Sequence, residues 1–165
     1  MKIAIQIVLV AAVVAAGIWL WTFLHPSPQQ VIRSRLNEMA RDASFDTHQG
    51  MLAAFASART VGDFFSTNVE VTLNLPGNQD WTLNGRDEVV QKIMAAHAMV
   101  SELKLDFPDL NVTVAPDQNT ATADLTIRAQ VDEDKDSTAE EMKLTFEKIN
   151  GQWLITHIET VQVLT

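Results

Sequence analysis

Residues 121–163, ATADLTIRAQVDEDKDSTAEEMKLTFEKINGQWLITHIETVQV, carry the clearest structural signal in the chain. From Ala121 to Val131 the odd positions are Ala, Ala, Leu, Ile, Ala and Val, and the even ones Thr, Asp, Thr, Arg and Gln. Side chains alternate across a strand, so this pattern predicts a strand with one apolar and one wet face. Further on, Asn150-Gly151 separates the runs 142–149 and 152–163. A two-residue hairpin turn needs positive φ at both positions, which Asn-Gly adopts readily, so the two runs read as a hairpin. In a straight hairpin Ile149 faces Gln152, Phe146 faces Ile155, Leu144 faces His157 and Met142 faces Glu159. That register places His157 and Glu159 on the apolar face.

Working back toward the N-terminus, Leu103, Leu105 and Phe107 alternate, and the apolar register then changes to Leu110, Val112 and Val114 across Pro108-Asp109, as a bulge or bend produces. Val69, Val71, Leu73 and Leu75 alternate with Glu70, Thr72 and Asn74, ending at Pro76-Gly77-Asn78, with Trp81-Thr82-Leu83 as a short partner. Between these strand regions, Gly85 precedes a helix that begins Arg86-Asp87-Glu88 and continues through Val90, Ile93, Met94, His97 and Val100. Upstream, Ile32, Leu36, Met39 and Ala43 form one helical stripe, and a second helix runs from about Thr47 to Ala58. Thr60 to Asp63 reads as a capping box, with the Asp63 carboxylate capping a short turn that carries Phe64 and Phe65. Helices first and strands later predict an α+β domain rather than a βαβ repeat.

The first segment is of another kind. Ile3 to Leu24, IAIQIVLVAAVVAAGIWLWTFL, has no charge, and its 22 residues would span roughly 33 Å as a helix, enough for a bilayer's hydrocarbon. Trp19 and Trp21 suit the headgroup level, and Pro26 and Pro28 end the helix. A cleaved signal peptide would have a shorter apolar core and a small-residue cleavage site; here the core is long and ends in bulky residues. The expectation is a membrane anchor with linker over 1–28 and a folded domain over 29–165. Lys2 before the span favours the N-terminus inside and the domain on the extracytoplasmic side of the cell membrane, although Arg33, Arg35 and Arg41 follow the span.

The 165 residues are one domain's worth of chain, with 47% hydrophobic content and scattered Gly and Pro, which excludes a disordered or low-complexity chain. Residues 29–165 hold eleven basic and twenty-one acidic side chains, a net of −10, so nucleic acid is a poor partner. Without cysteine there is no disulfide, thiolate metal site or Cys nucleophile. Asp132, Asp134 and Asp136 occupy positions 1, 3 and 5 of a calcium loop, but Ser137 and Lys143 stand where Gly and Glu are needed, so the run reads as a solvated loop. No metal or cofactor motif is present.

The order of elements and several strings, Asp63-Phe64-Phe65 into Asn68-Val69-Glu70-Val71, Leu83-Asn84-Gly85-Arg86-Asp87-Glu88, and Asn150-Gly151-Gln152-Trp153-Leu154-Ile155, resemble the nuclear transport factor 2-like superfamily, including its SnoaL-like branch, over residues 29–165. The resemblance implies a cone: a curved antiparallel sheet wrapped around about three helices, here preceded by one transmembrane helix, with a pocket at the open end. The superfamily holds isomerases, dehydratases and noncatalytic binding modules, so fold does not give function. Its isomerases and dehydratases polarise a carbonyl with tyrosine hydroxyls, and this chain has no Tyr.

For chemistry, His97 shares the apolar stripe of its helix and His157 the apolar face of its strand, with Glu159 beside it, a set able to move protons near neutral pH. Trp81 and Trp153 are candidates for lining a hydrophobic ligand site together with His97 and His157. Against these stands the bland reading of each as a core or rim residue. The leading expectation is a single-pass, membrane-tethered binding module, noncatalytic, taking a small apolar ligand or a protein partner, or pairing with a second copy through its sheet. The rival is a small isomerase, dehydratase or hydrolase working through His157, His97 and Glu159.

Overall fold

The computed structural model describes residues 12–17, 19, 26–46, 50–75, 79–132 and 137–161. Three helices, α1 (Pro28–Ala43), α2 (Met51–Gly62) and α3 (Arg86–Met99), accompany seven strands: β1 (Phe65–Leu75), β2 (Gln79–Asn84), β3 (Leu103–Asp106), β4 (Leu110–Val114), β5 (Thr120–Val131), β6 (Thr138–Ile149) and β7 (Gln152–Thr160). The strands form one sheet in the order β2-β1-β7-β6-β5-β3, with β4 also on β5. The fold is α+β, as the sequence predicts, but the sheet is mixed. β1 and β7 run parallel, pairing Glu70 with His157 and Val71 with Ile158, whereas the other pairs are antiparallel. A parallel pair needs a long crossover, and here β2, α3 and β3 to β6 all lie between β1 and β7, a pairing that local alternation cannot reveal.

Each helix is placed by its ends and its buried stripe. Ser27 caps α1 in a reciprocal box with Gln30, and Pro28 sits at the first helical position, where its missing N–H costs nothing. Ile32, Leu36, Met39 and Ala40 are the buried face of α1. Its C-terminus is tied to the sheet: Ser44 Oγ accepts from Leu105 N at 3.0 Å, and Phe45 bridges to Leu103 through both main-chain bonds. The expected capping box at Thr60 does not form. α2 continues through Gly62 because Ala58, Val61 and Gly62 are buried, Thr60 Oγ1 donates to the Ala56 carbonyl, and Asp63 is the C-cap of α2. From Pro28 onward, the described helices ahead of β1 are α1 and α2, and β1 starts at Phe65. Arg86 locks α3 to β1, its Nε donating to the Phe65 carbonyl at 2.9 Å and its Nη2 to the same oxygen.

The core lies between one face of the sheet and the helices. Ile32, Leu36, Val61 and Val89 from the helical side meet Val69, Val71, Ala121, Ala123, Leu125, Leu144, Phe146, Trp153 and Ile155 from the strands. Most are close to fully buried, and burying a side chain of this size stabilises by about 1.5–3 kcal/mol.

At the last hairpin, Asn150 and Gly151 have φ of +51° and +82°, the backbone that the Asn-Gly pair predicts, and Ile149 faces Gln152, Lys148 faces Trp153, Glu147 faces Leu154 and Phe146 faces Ile155. The register then slips between Thr145 and Phe146. Thr145 faces His157, Leu144 faces Ile158, Lys143 faces Glu159 and Met142 faces Thr160. Thr156 is the extra residue of a β-bulge, and one extra residue turns every later side chain over. His157 and Glu159 therefore lie on the outer face of the sheet with Thr145 and Lys143, and Ile158 takes the core side. This overturns the straight-hairpin expectation that placed both on the apolar face.

The apolar segment 3–24 lies largely outside the described residues; its described part, residues 12–17 and Trp19, is helical and exposed. Among the described residues no helix is long and apolar enough to cross a membrane. His25, His48, the Pro76–Asn78 turn and most of the acidic run 132–136 also fall outside them.

Candidate functional site

The expected site residues do not converge. His97 is on the last turn of α3, where its ring stacks on Phe45 with centroids 3.8 Å apart and planes 20° from parallel. Partial burial disfavours the imidazolium and lowers the pKa of His97 below the ordinary 6.5. Its partner is an aromatic ring rather than a carboxylate, so it fills the contact between the end of α3 and the segment following α1.

His157 stands on the other side of the sheet. Its Nε2 is 3.7 Å from Glu159 Oε2 and its Nδ1 4.0 Å from Glu70 Oε2, distances at which charges interact but hydrogen bonds do not form. Lys143 Nζ lies 4.0 Å from the other Glu159 oxygen. The strand register explains the cluster: Glu70, His157 and Thr145 are neighbours in one row, and Thr72, Glu159, Lys143 and Asp124 in the next. All point away from the core. His97 belongs to the helical layer and His157 to the opposite surface, so no single small substrate bridges them.

Trp153 is 4% exposed and belongs to the core, with Lys148 Nζ 6.0 Å from its ring centroid. Trp81 is different. It pairs with Leu73 at the end of β2 and β1, keeps 43% of its surface exposed, and carries Lys92 Nζ 5.0 Å from its ring centroid. A cation over an indole face is held by the ring quadrupole. Trp81, Thr82, Leu83, Glu88, Gln91 and Lys92 line a groove of about 470 Å³ between β2 and α3. Glu88 also closes one end of the groove, accepting from Asn84 N at 2.7 Å. The arrangement offers an apolar ring, an ammonium group and an amide on one wall. The residues besides Trp81 were not singled out by sequence pattern; the signal for them was the spacing of Glu88, Gln91 and Lys92 on one exposed helix side facing β2.

A second groove of about 520 Å³ lies at the β4–β5–β6 end, lined by Leu110, Leu125, Met142 and Val161 together with Asp109, Asn111, Asp124, Thr126 and Glu141. Among the described residues no group of three or more His, Asp or Glu side chains is arranged to hold a metal ion.

Comparison with known proteins places the fold. The profile of the SnoaL-like domain matches residues 52–160. Among solved structures, an NTF2-like protein with a cystatin-like fold from Novosphingobium aromaticivorans is 16% identical, with a TM-score of 0.60 over 89% of this chain and 86% of its own. The yeast UBP3-associated protein BRE5 is 12% identical, with a TM-score of 0.61 over 84% of this chain and 100% of its own. A protein of unknown function from Mycobacterium tuberculosis is 15% identical, with a TM-score of 0.59 over 82% of this chain and 75% of its own. At these identities the likeness is one of fold. No curated protein matches the chain.

Proposed function

Because the chain belongs to the SnoaL-like domain family, whose fold serves catalysts and binders alike, we propose that it is a noncatalytic binding module held at the cell membrane by residues 3–24. The domain would then stand on the extracytoplasmic side. The observation that carries the noncatalytic part is the separation of the two histidines: His97 is stacked on Phe45 and His157 lies on the outer sheet face beside Glu70 and Glu159. General acid–base chemistry needs its groups within hydrogen-bond reach of one reacting centre, and the sheet between them keeps His97 and His157 from sharing one.

The ligand reading rests on the Trp81 groove. An apolar body would lie against the indole, and a carboxylate or other anionic head would meet Lys92, which is drawn toward the ring. The ligand class is a small amphiphile with one negative charge. A second copy docking on the outer sheet face is compatible with this use, since that face is away from the groove.

The test is native mass spectrometry of the full chain released from detergent, compared with a Trp81→Ala variant. A bound small anionic amphiphile lost in the variant supports the reading; a ligand retained by the variant, or lost instead in His157→Ala, moves the site elsewhere and defeats it.

A further inference from the structure

We propose that the outer face of the sheet docks a basic segment of a partner protein, whose lysine or arginine side chains meet its carboxylates while an apolar side chain enters the groove at the β4–β5–β6 end. Three rows of outward residues build this face. One row runs Thr113, Thr122, Thr145, His157 and Glu70, and the next Asn111, Asp124, Lys143, Glu159 and Thr72, each crossing β4, β5, β6, β7 and β1 in turn. In the third, Thr126 pairs with Glu141, Thr126 N donates to the Asp109 carbonyl, and Val161 N donates to that of Glu141. The residues between them along the strands, such as Val112, Ala123, Leu144 and Val71, are buried on the other side.

The third row, with Asn111 and Asp124 of the second, frames the groove of about 520 Å³. Its walls carry the carboxylates of Asp109, Asp124 and Glu141, and its apolar lining includes Met142 and Val161, the latter with 42% of its surface exposed. Glu147, opposite Thr120, adds a carboxylate further along β6. The face therefore holds Glu70, Asp109, Asp124, Glu141, Glu147 and Glu159 against one permanent cation, Lys143, which lies 4.0 Å from Glu159. His157 stands between Glu159 and Glu70. Among the described residues, Asp109, Asp124, Glu141 and Glu147 make no ion pair.

Complementarity of charge then names the occupant. The β3 corner contributes Lys104 and Arg128, but Arg128 Nε is already engaged with Asp106 at 3.2 Å, so even with this corner the acids outnumber the bases. A second copy brings the same excess of acid, and two such faces laid together repel. Nucleic acid and anionic lipid are repelled likewise. A single small cation covers too little: neighbouring strands lie ~4.8 Å apart, so from β4 to β1 the carboxylates spread over roughly 19 Å. An extended chain advances ~3.3 Å per residue, so about six residues of a basic segment reach across them. This docking is independent of the Trp81 groove, which lies on the helical side of the sheet, and of the anchor.

The test follows the amide resonances of the isotope-labelled full chain in uncharged detergent as a synthetic peptide is added, lysine alternating with threonine around one central leucine. The expected result is saturable shifts at residues 109–111, 124–126, 141–143 and 161, with the Trp81 indole N–H unmoved and binding weakened by added salt. Asp124→Asn combined with Glu141→Gln should bind the peptide about tenfold more weakly. Both side chains are exposed, so this pair should keep the parent's melting temperature. Glu38→Gln combined with Glu102→Gln removes two charges elsewhere and should leave binding as it was. Equal weakening by that control pair overturns the proposal, leaving only a general attraction of an acidic chain for a basic one. Shifts confined to other residues, or spermine bound as tightly as the peptide, also overturn it. So does a dimer that covers these residues before peptide is added, which gives the face to a second copy.

Discussion

Replacing Ile158 with Asp probes the bulge at Thr156 on which the placement of the candidate residues depends. In the bulged register Ile158 pairs with Leu144 on one side and Val71 on the other, facing the core. Losing its burial costs about 1–2 kcal/mol, less than a fully buried isoleucine because it is half-buried. Forcing a carboxylate between two apolar neighbours adds about 1–3 kcal/mol. The expected total is about 2–5 kcal/mol, a large part of the roughly 5–15 kcal/mol that holds a domain of this kind together. His157→Ala changes an outer-face side chain and should stay within about 1 kcal/mol. Urea unfolding of the full chain, followed by the fluorescence of buried Trp153, measures both. A straight hairpin reverses the order, because Ile158 would then be on the wet face and His157 opposite Leu144. An Ile158→Asp protein as stable as the parent, with a strongly destabilised His157→Ala, refutes the bulge and everything placed by it.

Gly62→Ala should destabilise by about 1–3 kcal/mol, because the added methyl meets the Val90 side chain at 2.6 Å and the α2–α3 contact must open; the same urea titration reads it. His97 has its pKa lowered by burial, so the folded state holds its proton less tightly than the unfolded chain. Its contribution is fully favourable above the unfolded value of 6.5 and is lost as the pH falls through that value toward the folded pKa, so the parent should lose melting temperature between about pH 7.5 and about pH 5 relative to His97→Leu. Asp117 takes hydrogen bonds from Asn119 N, Thr120 N and the Thr120 hydroxyl, which lower its pKa. Asp117→Ala should therefore speed amide exchange at residues 119 and 120, leaving Asn150-Gly151 unchanged.

The helices and strands were legible because their signals are local. Ile32, Leu36 and Met39 recur at helical spacing and are buried, and the alternation of Ala121 to Val131 matches a strand whose odd positions face the core through Leu125. What local reasoning missed at the site was also written in the chain. Trp153 and Ile155 are odd and Ile158 is even, the same change of parity read at Pro108-Asp109 as a bend. Applied to β7, that rule would have moved His157 and Glu159 outward. The Thr60 box failed for a different reason: a capping pattern competes with burial of Val61 and Gly62, and burial prolongs the helix.

The order of amino acids by itself determined which segments are helical or extended, the Asn150-Gly151 turn, the acidic balance and the lack of tyrosine and cysteine, since each follows from side-chain chemistry over a few residues. Tertiary structure alone decided that β1 lies parallel to β7 and that Trp81 meets Lys92 while His97 and His157 are parted by the sheet. Those outcomes depend on which distant surfaces exclude water from one another, and that competition is settled only when the whole chain is packed.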